Sequence, residues 1–190
     1  MTPSGVSLSI IWIRYYATRS LPCLLFTEYP SVTSQRQNKW SFGMLPQVSF
    51  YILADDSPLV RGRFACRLAE KAWKNNVKTH IHLSKKEDIE PMSDLLWSFR
   101  EDSFVPHATS DSDEAGEVPV TISCSEDDLQ KHDGLLINLG DIIPDNINHF
   151  SRVAEVVVQS PEILELARVR FRQYRDRGMH PQHQKVGQSA

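Results

Sequence analysis

From Gln47 onward, two spacings of apolar residues alternate along the chain. Gln47 to Ala54, QVSFYILA, is apolar almost throughout and rich in β-branched and aromatic residues, which predicts a strand covered on both faces. Asp55, Asp56, Ser57 and Pro58 follow as a capping cluster with proline at the first helical position. Val60, Phe64, Leu68, Ala72 and Trp73 then predict the inner face of a helix from Pro58 to Lys74, ended by Asn75 and Asn76. Lys78 to Leu83, KTHIHL, reads as a second strand, and Ser84 as the cap of a helix from Lys85 to Phe99 that contains LLW.

Residues 101–117 interrupt this rhythm: SFVPH is apolar and proline-containing, and ATSDSDEAGE is an acidic loop. Val118 to Cys124 and Gly134 to Leu139 predict two further strands joined by the polar SEDDLQKHD. Pro144 to Phe150 predicts a short helix, and Arg152 to Gln159 a last strand. Ser160 and Pro161 open a terminal helix that Gly178 closes, and MHPQHQKVGQSA after it shows no periodicity. Strand and helix in alternation predict an α/β fold, one Rossmann-like domain with a mostly parallel central sheet flanked by helices, over residues 44–178. Residues 179–190 are expected to be a flexible tail.

Within the terminal helix, Ile163, Leu166, Ala167, Arg170, Phe171 and Tyr174 share one broad face. Leu164, Arg168, Phe171 and Arg175 form a second row along its edge, a mixture able to hold an apolar group beside an anion. An ordinary helix with solvated arginines is the plainer reading of the same spacing. Five arginines between Arg168 and Arg177 face only Asp176, whereas the whole 190-residue chain has a formal net charge of -3. A local basic patch fits these figures better than a general nucleic-acid binder.

Residues 1–43 differ from the remainder. They carry Arg14, Arg19, Arg36 and Lys39 against a single acid, Glu28, and their apolar runs are short. Two readings fit, a basic targeting leader or sequence upstream of a start at Met44, with little packed structure expected in either case. No run approaches the roughly 18 apolar residues of a membrane span. Cys23, Cys66 and Cys124 lie far apart, which suits a reducing, cytoplasmic setting.

Candidate chemistry is sparse. The turn after the first strand is ADDSPLVRG, with acids where a phosphate loop needs glycines and free amides, and neither GxGxxG nor GxxxxGK[ST] occurs. No cofactor is therefore expected; an atypical nucleotide- or phosphate-binding α/β enzyme is the alternative. His80 and His82 share one strand face without an evident third metal ligand, and Cys66 sits within a helix as a small apolar residue.

Four segments together carry a family resemblance: SFYILADD, CRLAEKAWKNN, LLWSFREDSFVPH and LARVRFRQYRDRG. Over residues 47–178 the chain resembles the chi subunit of bacterial DNA polymerase III, an accessory protein of the clamp-loader assembly. The resemblance implies a fold without nucleotide binding or catalysis, and two protein partners: the psi subunit and the acidic C-terminal tail of single-stranded DNA-binding protein, which ends in Pro-Phe. Nucleic acid would be reached only indirectly, and no membrane is involved. By the same resemblance Arg168 takes the tail's terminal carboxylate, Trp97 and Phe171 wall the slot for its phenylalanine, and Val157 lies beneath. Leu164 stands where some members have lysine, and Arg172 and Arg175 supply compensating charge. Phe104, Val105 and Pro106 match the segment that meets psi.

Overall fold

The computed structural model describes residues 45–187, so the expectations for residues 1–43 fall outside the described residues. Seven parallel strands form one sheet in the order β3-β4-β2-β5-β6-β1-β7. They are β1 (Gln47–Leu53), β2 (Thr79–His82), β3 (His107–Thr109), β4 (Val120–Ser123), β5 (Leu135–Asn138), β6 (Arg152–Val157) and β7 (Gln182–Val186). The helices are α1 (Pro58–Lys74), α2 (Ile89–Ser98), the single turn α3 (Glu126–Leu129) and α4 (Pro161–Asp176).

Side chains alternate across the sheet, and each face has its own core. Ala154 and Val156 of β6, Ile81 of β2 and Ile122 of β4 face α1 and α2. Val153 and Val157 of β6, with Val48 and Phe50 of β1, face α4. Crossovers that run towards β3 use the first face and those that run back towards β7 use the second, so the two helical layers end up on opposite sides. On α1 the fully buried stripe is Ala65, Cys66, Ala69 and Ala72, small residues that let the helix lie close to the sheet. Val60, Phe64, Leu68 and Trp73 pack along its flanks.

The capping cluster works through Asp55, whose Oδ1 accepts from the Ser57 amide at 2.7 Å just before Pro58 opens α1. At the other end Asn76 adopts φ 56°, and after α4 Gly178 adopts φ 80°, each terminating a helix with a left-handed residue. Ser84 does not cap α2. Its hydroxyl accepts from the Asp141 amide at 2.9 Å, tying the β2 and β5 exits together, while a 3₁₀ turn at Lys86–Asp88 leads into α2.

Three local expectations are corrected. Residues 144–150 are turns and extended backbone rather than a helix. Ile143, Ile147 and Phe150 have helical spacing, but proline and two asparagines weaken helix formation there, and the three reach the core beneath α4 from irregular backbone. SFVPH runs into the short edge strand β3. The supposed tail contains β7, which pairs in parallel with β1 from Ser49↔Gln182 to Leu53↔Val186. Its polar residues, QHQKV, conceal a strand because the outer strand of a sheet needs no apolar alternation.

Candidate functional site

The α4 surface follows from how that helix is seated. Ala167, Arg170 and Tyr174 are buried, and Phe171 sets its ring edge-on to Phe50 of β1 at 5.3 Å. A buried polar network fixes the helix on β6. Glu155, fully buried in β6, accepts from the Tyr174 hydroxyl and the Asn138 amide at 2.9 Å each, and from Arg170 Nε at 3.0 Å. Arg170 Nη2 lies 3.0 Å from the same carboxylate without forming a hydrogen bond, and Nη1 donates to the Asp141 carbonyl at 2.9 Å. Burial beside the Glu155 carboxylate pushes the Tyr174 hydroxyl well above its ordinary pKa, so it stays a donor. Arg170 is thus a structural residue, and the remaining arginines are left on the outside.

Outside, Leu164 and Phe171 are half-buried against the core that contains Val157, which is itself 2% exposed. Arg168 stands beside them with two-thirds of its side chain in solvent, its Nη1 3.2 Å from the equally exposed Glu165. Such an exposed pair contributes at most about 1 kcal/mol, so an incoming carboxylate can displace Glu165. Arg172 and Arg175 are exposed on the same helix, and Arg172 Nε donates to the Arg168 carbonyl at 3.3 Å. Leu164 and Phe171 thus pack against the buried cluster that holds Val157, with the Arg168 guanidinium exposed on the same edge of the helix.

Trp97 does not join them. It projects from α2, which packs by Met92 and Leu96 into the core on the other face of the sheet. There its ring is 5.0 Å from Phe104 and 5.1 Å from His107, and Trp97 and Phe104 are 54% and 55% exposed. Sequence spacing gave no means of telling which face α2 would cover. Trp97 therefore lies apart from Phe171 and Leu164 of α4.

The segment that carries Phe104 is firmly held. Val105 is buried in the core at 1% exposure, so its side chain anchors the segment instead of meeting a partner. Pro106 is half-buried beside it. Glu70 of α1 accepts from Lys74 at 2.7 Å, from Arg100 at 2.8 Å and from Ser103 at 2.9 Å. The Lys74 contact first, then Ser103 and Arg100, hold this carboxyl below its ordinary pKa despite burial. The result is an exposed Trp97–Phe104 pair on a rigid base.

The remaining candidates resolve into structure. His80 is buried with Nδ1 2.8 Å from Thr121 Oγ1 and Nε2 3.2 Å from Ser123 Oγ, and stacks on His132 at 4.7 Å. Burial, reinforced by His132 and His82, lowers its pKa to about 3. His82 is buried beside it and also lowered by burial. Burial pushes the Cys66 thiol up to about 12, which leaves it unreactive. Among the described residues no group of three or more His, Cys, Asp or Glu is placed to hold a metal, and no helix is long and apolar enough to cross a membrane. Glu155 is the structural signal that strand periodicity passed over: an acid inside an apolar strand, answered by Arg170 and Tyr174 four residues apart on α4.

Known proteins resemble the chain over most of its length. The family described as DNA polymerase III chi subunit, HolC, matches residues 45–182. A DNA polymerase III subunit chi of Pseudomonas aeruginosa is 39% identical over 134 residues, 70% of this chain and 92% of that protein. Subunits of the same name from Haemophilus influenzae and Escherichia coli are 30% and 24% identical, over 76% and 72% of this chain and 100% and 95% of theirs. By these matches the chain belongs to the family of DNA polymerase III chi subunits, accessory proteins of DNA replication.

Proposed function

We propose that this chain is a non-catalytic cytoplasmic adaptor that binds the acidic C-terminal tail of single-stranded DNA-binding protein on α4 and the psi subunit through Trp97 and Phe104. The observation that carries the first half is the juxtaposition of the half-buried Phe171 and Leu164, over Val157, with the exposed Arg168. A peptide that ends in phenylalanine presents a ring and a carboxylate a few ångströms apart. The ring suits an aromatic-lined seat, and the planar guanidinium can bond both carboxylate oxygens. Arg172 and Arg175 attract the upstream acids, a contribution that salt weakens.

Leucine at 164 makes the seat more apolar and removes a charge at one end, so affinity leans more on the terminal ring and carboxylate. On the opposite side of the sheet, the exposed Trp97–Phe104 pair has the character of a protein contact: two large aromatic rings on a rigid base. Binding psi there leaves α4 free, and the two contacts together connect the clamp loader to coated single-stranded DNA.

Isothermal titration with an acidic peptide ending in Pro-Phe tests the α4 assignment. Arg168→Ala is expected to weaken binding by about 2 kcal/mol or more, and amidation of the peptide's C-terminus by a comparable amount. Unchanged affinity in both experiments overturns carboxylate capture by Arg168.

A further inference from the structure

The strand β7 pairs with β1, whose Phe50 carries Phe171 of α4, and its register decides which of its side chains project on the α4 side. Phe50 of β1 pairs with His183 and Ile52 with Lys185. Neighbours in register on paired strands point to the same face of a sheet. Phe50 packs on the α4 side, edge-on to Phe171, so His183 and Lys185 project on that side as well. The alternation checks independently at Val186, which packs into the core on the α1 side, as Leu53, its register partner, does. His183 and Lys185 are exposed, while Gln182 and Gln184 project on the opposite face.

We infer that β7 forms the second bank of the docking groove, with Lys185 and His183 receiving acidic side chains of the peptide whose terminal phenylalanine is seated at Phe171. This rests on the reading of α4 as a peptide site and adds a recognition element outside that helix. In this reading Arg168, Arg172 and Arg175 along α4 form one bank and Lys185 with His183 the other, above the buried Phe50 on which Phe171 rests. A chain running away from a carboxylate held at Arg168 meets positive or hydrogen-bonding side chains on both banks. That arrangement selects an extended acidic segment over a neutral one of the same length. It also gives a function to a polar strand that contributes only Val186 to the core.

The experiment uses the full chain, an acidic peptide ending in Pro-Phe, and a second peptide with the upstream acids replaced by asparagine. Lys185→Glu is expected to weaken the acidic peptide about fivefold, the scale of an exposed ion pair, and to leave the neutral peptide unchanged. Gln184→Glu places the same charge change on the same strand but on the other face, and is expected to leave both affinities within about twofold. Equal losses in the two variants, or none in Lys185→Glu, overturn the role of β7. If Arg168→Ala abolishes binding while Lys185→Glu does nothing, the α4 reading survives and this inference fails. If Arg168→Ala is also without effect, the α4 reading fails with it.

Discussion

Glu155→Gln should be among the most destabilising single-atom exchanges in the domain. The carboxylate is fully buried and takes hydrogen bonds from Asn138, Tyr174 and Arg170, the last being its only cationic partner within ion-pair distance among the described residues. With glutamine the Arg170 guanidinium keeps only the Asp141 carbonyl as an acceptor at full strength, and the new amide turns donors towards groups that are themselves donors. Breaking a buried pair by neutralising one partner typically costs about 3–5 kcal/mol, and the retained carbonyl oxygen argues for the lower end, about 3 kcal/mol. That is a large share of the roughly 5–15 kcal/mol that keeps a domain folded. In urea titration the midpoint should fall by about 1.5 M for a slope near 2 kcal/mol/M, with the slope unchanged. Glu165→Gln, on the exposed side of the same helix, should stay within about 0.5 kcal/mol. Replacing the pair together, Glu155→Leu with Arg170→Met, should recover much of the loss, since the ion pair is expected to fix the position of α4 more than to add net stability. A loss below about 1 kcal/mol for Glu155→Gln refutes the claim that this network seats the helix.

Three further outcomes follow from particular contacts. His80 has its folded pKa lowered from 6.5 to about 3 by burial, so the unfolded chain takes up the proton first. Its contribution is complete above about pH 6.5 and is lost as pH falls from there towards 3, on the order of 5 kcal/mol in total; denaturation midpoints measured from pH 7 to 4 should therefore slope less steeply for His80→Gln, and parallel slopes contradict the assignment. Gly134 has φ 83°, and a Cβ there would fall on the backbone carbonyl of Lys78, so Gly134→Ala should lower stability by about 2 kcal/mol or more in thermal unfolding. Trp97→Ala should leave the affinity for the acidic peptide unchanged in calorimetry while weakening psi binding; a loss of peptide affinity contradicts the placement of Trp97 on the other face.

Much of this was legible in the chain itself, for identifiable reasons. The near-continuous apolar strands β1, β5 and β6 announced a covered parallel sheet, because burial on both faces leaves little room for polar residues. The α4 edge was readable because helical spacing fixes which side chains are neighbours, and Leu164, Arg168 and Phe171 do share that edge. What spacing does not carry is the face of the sheet that a helix will cover. The resemblance pairs Trp97 with Phe171, but α2, which carries Trp97, covers the opposite face of the sheet. Val105 was legible as apolar but not as buried, since SFVPH has no period. The strand β7 stayed hidden because edge strands tolerate polar residues on both faces, and the pairing that defines it lies more than a hundred residues away in sequence.

The central claim is that the outer face of α4 captures a free C-terminal phenylalanine carboxylate at the end of an acidic tail. A pull-down of single-stranded DNA-binding protein by this chain, using that protein intact and lacking its last few residues, tests it most directly. Retention of the intact protein, its loss on truncation, and its loss with Arg168→Ala are the predicted results. Equal retention of the truncated protein contradicts the account.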